Sequence, residues 1–174
     1  MKSITEQLAR YKSVHLNSSN IKTHFVGIPL IIWAIFVGLG SLSFSIGESG
    51  ANISLGVIFA VVVSIYYFKL HFGLAVAMLI FIIPVIYLAD FVAHTENGLW
   101  VALIAFVIGW IFQLIGHKHE KAKPAFIDDI NQLLIGPLFL MAEICFVFGR
   151  LKQMNENVTR QAIEFRKQLE ASKR

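Results

Sequence analysis

Long apolar runs separated by short polar blocks set the pattern of this chain. The first run spans Val26 to Ile46, and Pro29 near its start is placed where a missing N–H matters least. A second stretch, Ile53 to Val92, is about twice the roughly 20 residues that cross a bilayer. Lys69 and His71 interrupt it near the middle and predict a tight turn between two spans. The fourth run is Leu99 to Gly116. A fifth segment, Leu133 to Gly149, is short and contains Gly136, Pro137 and Glu143.

The polar ends carry a different period. Ser3–Ile4–Thr5–Glu6 has the form of a capping box, with Ile4, Leu8 and Tyr11 following at helical spacing. In the tail, Leu151, Met154, Val158, Phe165 and Leu169 form an apolar stripe among charged residues. Such a helix either lies on a headgroup layer or packs on its own protein, and the stripe fits both. The expectation is an all-α polytopic membrane bundle forming one integral membrane domain over residues 1–174. It has four transmembrane helices, a re-entrant or interfacial fifth segment, and amphipathic terminal helices.

Charge decides the topology. All 15 Lys and Arg fall in residues 1–25, at Lys69, in residues 117–132 and in the tail from Arg150. The loops near Glu48 and Glu96 hold none. By the positive-inside rule, four crossings place both termini on the cytoplasmic side. A full crossing by Leu133–Gly149 would put the basic tail outside, so it is the less favoured alternative. Glu143 points the same way, because a carboxylate at mid-bilayer is costly unless it faces protein or a cavity. The net charge of +4 then reflects topology and anionic lipid rather than nucleic acid. The late start of the first apolar run does not fit a cleaved signal peptide. Cys145, the single cysteine, rules out an intramolecular disulfide.

The six histidines are placed unevenly. His94 falls at the outer end of the third span. His15, His24, His71, His117 and His119 fall at the inner side. Imidazole is the commonest metal ligand, and several at one depth can hold a divalent ion. Each taken singly also fits a polar interfacial anchor. On one straight helix His15 and His24 would point to opposite faces, so a shared ion requires a break. Asn17–Ser18–Ser19–Asn20 supplies residues that favour caps and turns. After the fourth run, Gln113, His117 and Glu120 recur on one helical face, while His119 points elsewhere.

Two blocks then stand out: His15, Asn20, His24, Gly27 and Pro29, and later Gln113, Gly116, His117, Glu120, Pro124, Asp129 and Gly136–Pro137. Their spacings, H-x4-N-x3-H-x2-G-x-P and Q-x2-GH-x2-E-x3-P, resemble those of the Mpo1-like family. The resemblance implies an Fe(II)-dependent dioxygenase that cleaves C1–C2 of 2-hydroxy fatty acids and leaves the acid one carbon shorter, the reaction of fatty acid α-oxidation. It implies 2-hydroxy fatty acid, O2 and membrane lipid as partners. The location would be the endoplasmic reticulum or a bacterial inner membrane, with the active site on the cytoplasmic side. The ligand hypothesis is iron held by His15, His24 and His117. Glu120 is then a fourth ligand or a partner that fixes an imidazole. Asn20 and Gln113 would orient the ligands by hydrogen bonds, and Lys118, Lys121 and Lys123 either attract the acid or are simply solvated. His71 and His119 match no position of the pattern. A fatty acid presents its carboxylate at the headgroup level, where these histidines are expected.

The alternative is a non-enzymatic lipid-binding or scaffolding protein with interfacial histidines. A bis-His haem protein fits poorly, because the histidines fall at span ends. A di-iron desaturase would carry several histidine boxes, and here only His117–Lys118–His119 resembles one. The sequence has no Gly-rich nucleotide loop and no HExxH.

Overall fold

The computed structural model describes residues 2–46, 51–127 and 129–172. In chain order the elements are α1 (Ile4–Ser13), α2 (Ser18–Gly40), β1 (Ser43–Ile46), β2 (Ala51–Ser54), α3 (Leu55–Leu70), α4 (Phe72–Ala93) and α5 (Gly98–Glu120). A short 3-10 turn (Ala125–Ile127), α6 (Gln132–Val147) and α7 (Lys152–Ala171) follow. The fold is helical, with one small antiparallel hairpin in which Ser43 pairs Ser54 and Ser45 pairs Asn52.

Local chemistry explains most boundaries. Ser3 accepts the Glu6 amide and caps α1, as its capping-box form predicts. The Asn17 side chain accepts the Ser19 amide at 2.8 Å and opens α2. A break between His15 and His24 is therefore present, as expected, but it covers residues 14–17, and of the Asn17–Asn20 stretch only Asn17 lies in it. His71 separates α3 from α4 and caps the latter, its Nδ1 accepting the Leu74 amide at 3.2 Å. Leu151 precedes α7 in the left-handed conformation (φ 53°), just after Gly149 at φ 70°.

Two expectations need correction. The first apolar run is not one span from Val26 to Ile46, since its helix runs from Ser18 to Gly40. Ser43-Phe44-Ser45-Ile46 alternates polar and apolar side chains, which suits a strand, and it pairs as one. Pro29 consequently sits inside α2 and not at its first turn, where it removes one backbone hydrogen bond. The loop expected near Glu48 lies outside the described residues. Among the described residues, three helices, α2, α4 and α5, are long and apolar enough to cross a membrane. The shorter apolar helices α3 and α6 have 16 residues each.

The chain divides into two compact units. One holds residues 26–112. Its core is apolar: Ala34, Phe36, Val37, Ile82, Ala89 and Ala102. Small residues let its helices approach closely, as in membrane bundles. A Cβ on Gly109 would lie 2.9 Å from the Gly27 carbonyl oxygen, so α2 and α5 cross in near backbone contact there.

The other unit holds residues 1–25 and 113–174. In it α1 packs on both α6 and α7. Leu8 and Ala9 on α1, Val158 and Ala162 on α7, and Ile135, Leu138 and Ala142 on α6 are fully buried. The tail helix thus uses Val158, from its apolar stripe, to pack on its own protein. Glu143 on α6 meets Lys12 of α1 at 2.7 Å, and both side chains are largely shielded. Its charge is thereby compensated by protein, one of the two settings in which such a carboxylate is tolerated.

Candidate metal centre

Residues from three places converge in the unit that contains both termini. His15 lies in the turn after α1, His24 in the second turn of α2, and His117 near the end of α5. Each offers one ring nitrogen, and these three atoms lie within 4.8 Å of one another. His15 and His24 are buried, whereas His117 is partly buried with its Nδ1 shielded from solvent.

The hydrogen bonds fix the tautomers of two rings. His15 Nδ1 lies 2.6 Å from the Tyr11 carbonyl, and His24 Nδ1 lies 2.9 Å from the Asn20 carbonyl. A carbonyl only accepts, so both Nδ1 atoms carry the proton. In the neutral rings each Nε2 is then a bare lone pair, yet the two Nε2 atoms face each other at 3.0 Å. Burial, followed by the neighbouring His24, holds the His15 pKa well below the ordinary imidazole value, with the Tyr11 carbonyl opposing and His117 adding to the fall. His15 is therefore neutral at pH 7. Two facing lone pairs repel unless a cation lies between them. For metal–nitrogen bonds of about 2.1 Å, two donors at right angles are about 3 Å apart, which matches this separation. His117 Nδ1 is buried without a hydrogen-bond partner, a third free donor. Three imidazoles suit a divalent first-row ion such as iron, zinc or nickel and leave coordination positions open. The donor set fits a metal of this class.

Neighbouring residues hold the rings. Tyr11 stacks flat on His15, with centroids 4.0 Å apart, so it grips that imidazole through both its ring and its carbonyl. Gly116 keeps α5 close to α2, because a Cβ there would collide with Asn20 Oδ1 and Thr23 Oγ1. Asn20 Nδ2 donates to the Val14 carbonyl and to Glu120 Oε2, both at 3.2 Å.

Glu120 is buried but does not join the three histidines. Its Oε2 accepts the Asn17 amide at 2.8 Å, and its Oε1 accepts from Arg166 at 3.1 Å. Of the two roles expected for it, this arrangement suits a supporting partner better than a fourth ligand. Gln113 is also buried, with Nε2 unpartnered, as is Asn20 Oδ1. His119 is exposed on another side of α5, and its carbonyl accepts from Asn17 Nδ2. His71 serves as a helix cap. Lys118, Lys121 and Lys123 are exposed. Asp129 pairs with Lys2 at 3.0 Å, and that ammonium holds its carboxyl below the usual range.

Sequence reasoning missed Tyr11 and Arg166 as contributors. The four-residue spacing of Tyr11 and His15 was the available signal for the first, since such pairs are neighbours on a helix. Nothing in the local sequence marks Arg166 among the basic residues of the tail.

The family described as 2-hydroxy-palmitic acid dioxygenase Mpo1-like matches residues 1–148. A curated relative, 2-hydroxy-palmitic acid dioxygenase MPO1 of Saccharomyces cerevisiae, is 32% identical over 158 residues, covering 87% of this chain and 84% of the relative. No solved structure matches. That matched range takes in the whole stretch from His15 to Glu120, and the chain belongs to the Mpo1-like family.

Proposed function

We propose that this protein is a membrane dioxygenase that uses Fe(II) to cleave C1–C2 of 2-hydroxy fatty acids, giving the acid one carbon shorter. The facing Nε2 atoms of His15 and His24 at 3.0 Å carry this reading, because two neutral imidazoles so arranged call for a cation. The relative's name supplies the substrate class and the reaction type. Iron bound by His15, His24 and His117 would supply O2 activation beside a chelating hydroxy acid. With C1 leaving as CO2, the hydroxy acid itself provides the four electrons that O2 requires, so no outside reductant is needed.

The chain's own residues do the positioning. The Tyr11 and Asn20 carbonyls hold two imidazoles in the tautomer that presents Nε2. Glu120 anchors Asn17 and Asn20, and with them the start of α2. The unpartnered Gln113 Nε2 and Asn20 Oδ1 are polar groups suited to orient a bound hydroxyl or carboxylate. We assign four crossings to one membrane domain, both termini and the site to the cytoplasmic side, and α6 to an interfacial or re-entrant position, on the distribution of Lys and Arg. The acyl tail then stays in lipid while its acid end reaches the histidines.

The test is anaerobic. Protein in detergent is loaded with Fe(II), bound iron is measured, and O2 and 2-hydroxypalmitate are added. Iron near one per chain and the acid one carbon shorter are expected. Folded protein with neither would overturn the reading.

A further inference from the structure

We propose that Arg166, on the tail helix α7 and beyond the residues matched by the family, is a positioning residue for the metal site. This inference rests on the metal site proposed above. Arg166 joins separate parts of that site. One terminal nitrogen, Nη1, lies 3.1 Å from Glu120 Oε1 and 3.4 Å from the Ser13 carbonyl. The other, Nη2, donates to the Glu120 carbonyl at 3.2 Å, and Nε donates to Glu170 Oε1 at 2.7 Å. Glu120 is almost wholly buried, with its side chain 3% exposed, and it is hydrogen-bonded to the two asparagines that set the α1–α2 turn. A buried carboxylate needs a compensating charge, and Arg166 provides one at hydrogen-bond distance.

The route from Arg166 to the imidazoles is short. Ser13 lies two residues before His15, and its carbonyl accepts from Arg166. Asn20, held by Glu120, offers the carbonyl that orients His24. Glu120 itself follows His117 by one helical turn. Without Arg166 the carboxylate loses its counter-charge, and the turn that presents His15 and His24 loses its clamp. Lysine cannot replace this, since one ammonium lacks the planar fork that reaches the Glu120 carboxylate, the Glu120 carbonyl and the Ser13 carbonyl together.

Co(II) titration of the full-length protein, anaerobic and in detergent, tests the inference without turnover. Arg166→Met should weaken Co(II) binding by about tenfold or more, the usual scale for groups that orient metal ligands, and should shift the visible Co(II) bands. Arg166→Lys should recover part of that loss. The double variant Arg166→Met/Glu120→Gln should lose less affinity than the two single losses combined, because the arginine acts largely through Glu120. Val158→Ala, which loosens α7 without touching Arg166, should lower the melting temperature and leave Co(II) affinity within about twofold. Wild-type affinity in folded Arg166→Met overturns the proposal, as does an equal loss in Val158→Ala. If Arg166→Met does not fold, Arg166→Lys decides: weakened binding supports the proposal and unchanged affinity overturns it. Wild-type protein that binds no Co(II) overturns the metal reading itself, a result distinct from these.

Discussion

The two compact units bury different things. In the unit holding residues 1–25 and 113–174, Gln7, Ser13, His15, Asn20, His24, Gln113, Glu120 and Gln132 are all buried. In the unit holding residues 26–112, the buried core among the described residues is apolar, and many large apolar side chains, such as Ile80, Tyr87 and Phe91, are exposed. Exposed apolar surface of this kind suits lipid. An unpaired buried polar group costs about 1–3 kcal/mol, so eight buried polar side chains in one unit require compensation by a network or a ligand. The difference teaches where substitution should alter chemistry and where it should alter only packing.

The largest effect is expected at the histidines. His15→Ala, His24→Ala and His117→Ala should each reduce bound Fe(II) to background and abolish turnover, while far-UV circular dichroism remains helical. Metal analysis of detergent-purified variants checks this. Full iron binding by all three would break the comparison, because the buried polar groups would then have no ligand to account for them.

Next comes the Lys12–Glu143 pair, 2.7 Å apart with side chains only 12% and 15% exposed. Glu143→Ala leaves the ammonium shielded and unpaired, at a cost of about 3–5 kcal/mol. A chemical or thermal melt should show a marked loss of stability. Replacing both residues by apolar ones of similar size should restore most of it. A Glu143→Ala variant as stable as wild type would show that Lys12 finds water readily.

Much of this arrangement was legible in the sequence, and the reasons are specific. The break between His15 and His24 followed from Asn17–Asn20, whose side chains favour caps, and Asn17 does cap α2. The turn at His71 followed from polar residues interrupting an apolar stretch, and the helices separate there. The common face of Gln113, His117 and Glu120 followed from helical period, and α5 extends through Glu120. Ser43–Ile46 was read into the first span because Phe and Ile prolong an apolar run, whereas its two-residue alternation decided its structure. Glu120 was named both as a possible ligand and as a partner, since sequence cannot show which way a carboxylate turns. Arg166 was invisible because its partner lies 46 residues away, and no local period links them.

A smaller effect sharpens the contrast from the apolar side. Ile82, 8% exposed in the core of the second unit, loses one methylene in Ile82→Val. The cost should be about 0.5–1.5 kcal/mol. Fe(II) stoichiometry should stay at the wild-type value. A drop in bound iron with little loss of stability would show that the units are not separable in function.

The smallest effect is expected where a salt bridge sits at the surface. Lys2 and Asp129 pair at 3.0 Å, as close as many buried pairs, but their side chains are 45% and 33% exposed. Water screens the attraction, and the lysine gives up rotamer freedom to hold it, so such pairs contribute about 0–1 kcal/mol. Lys2→Ala should therefore shift a melt slightly at low salt and not at all at high salt, where the Debye length falls to about 3 Å. Measured beside Glu143→Ala, it isolates burial as the variable, since both pairs are lysine–carboxylate contacts in the same unit. Equal losses for the two would mean that distance, not desolvation, governs the polar interactions there. The contrast drawn between the two units would then lose its physical basis.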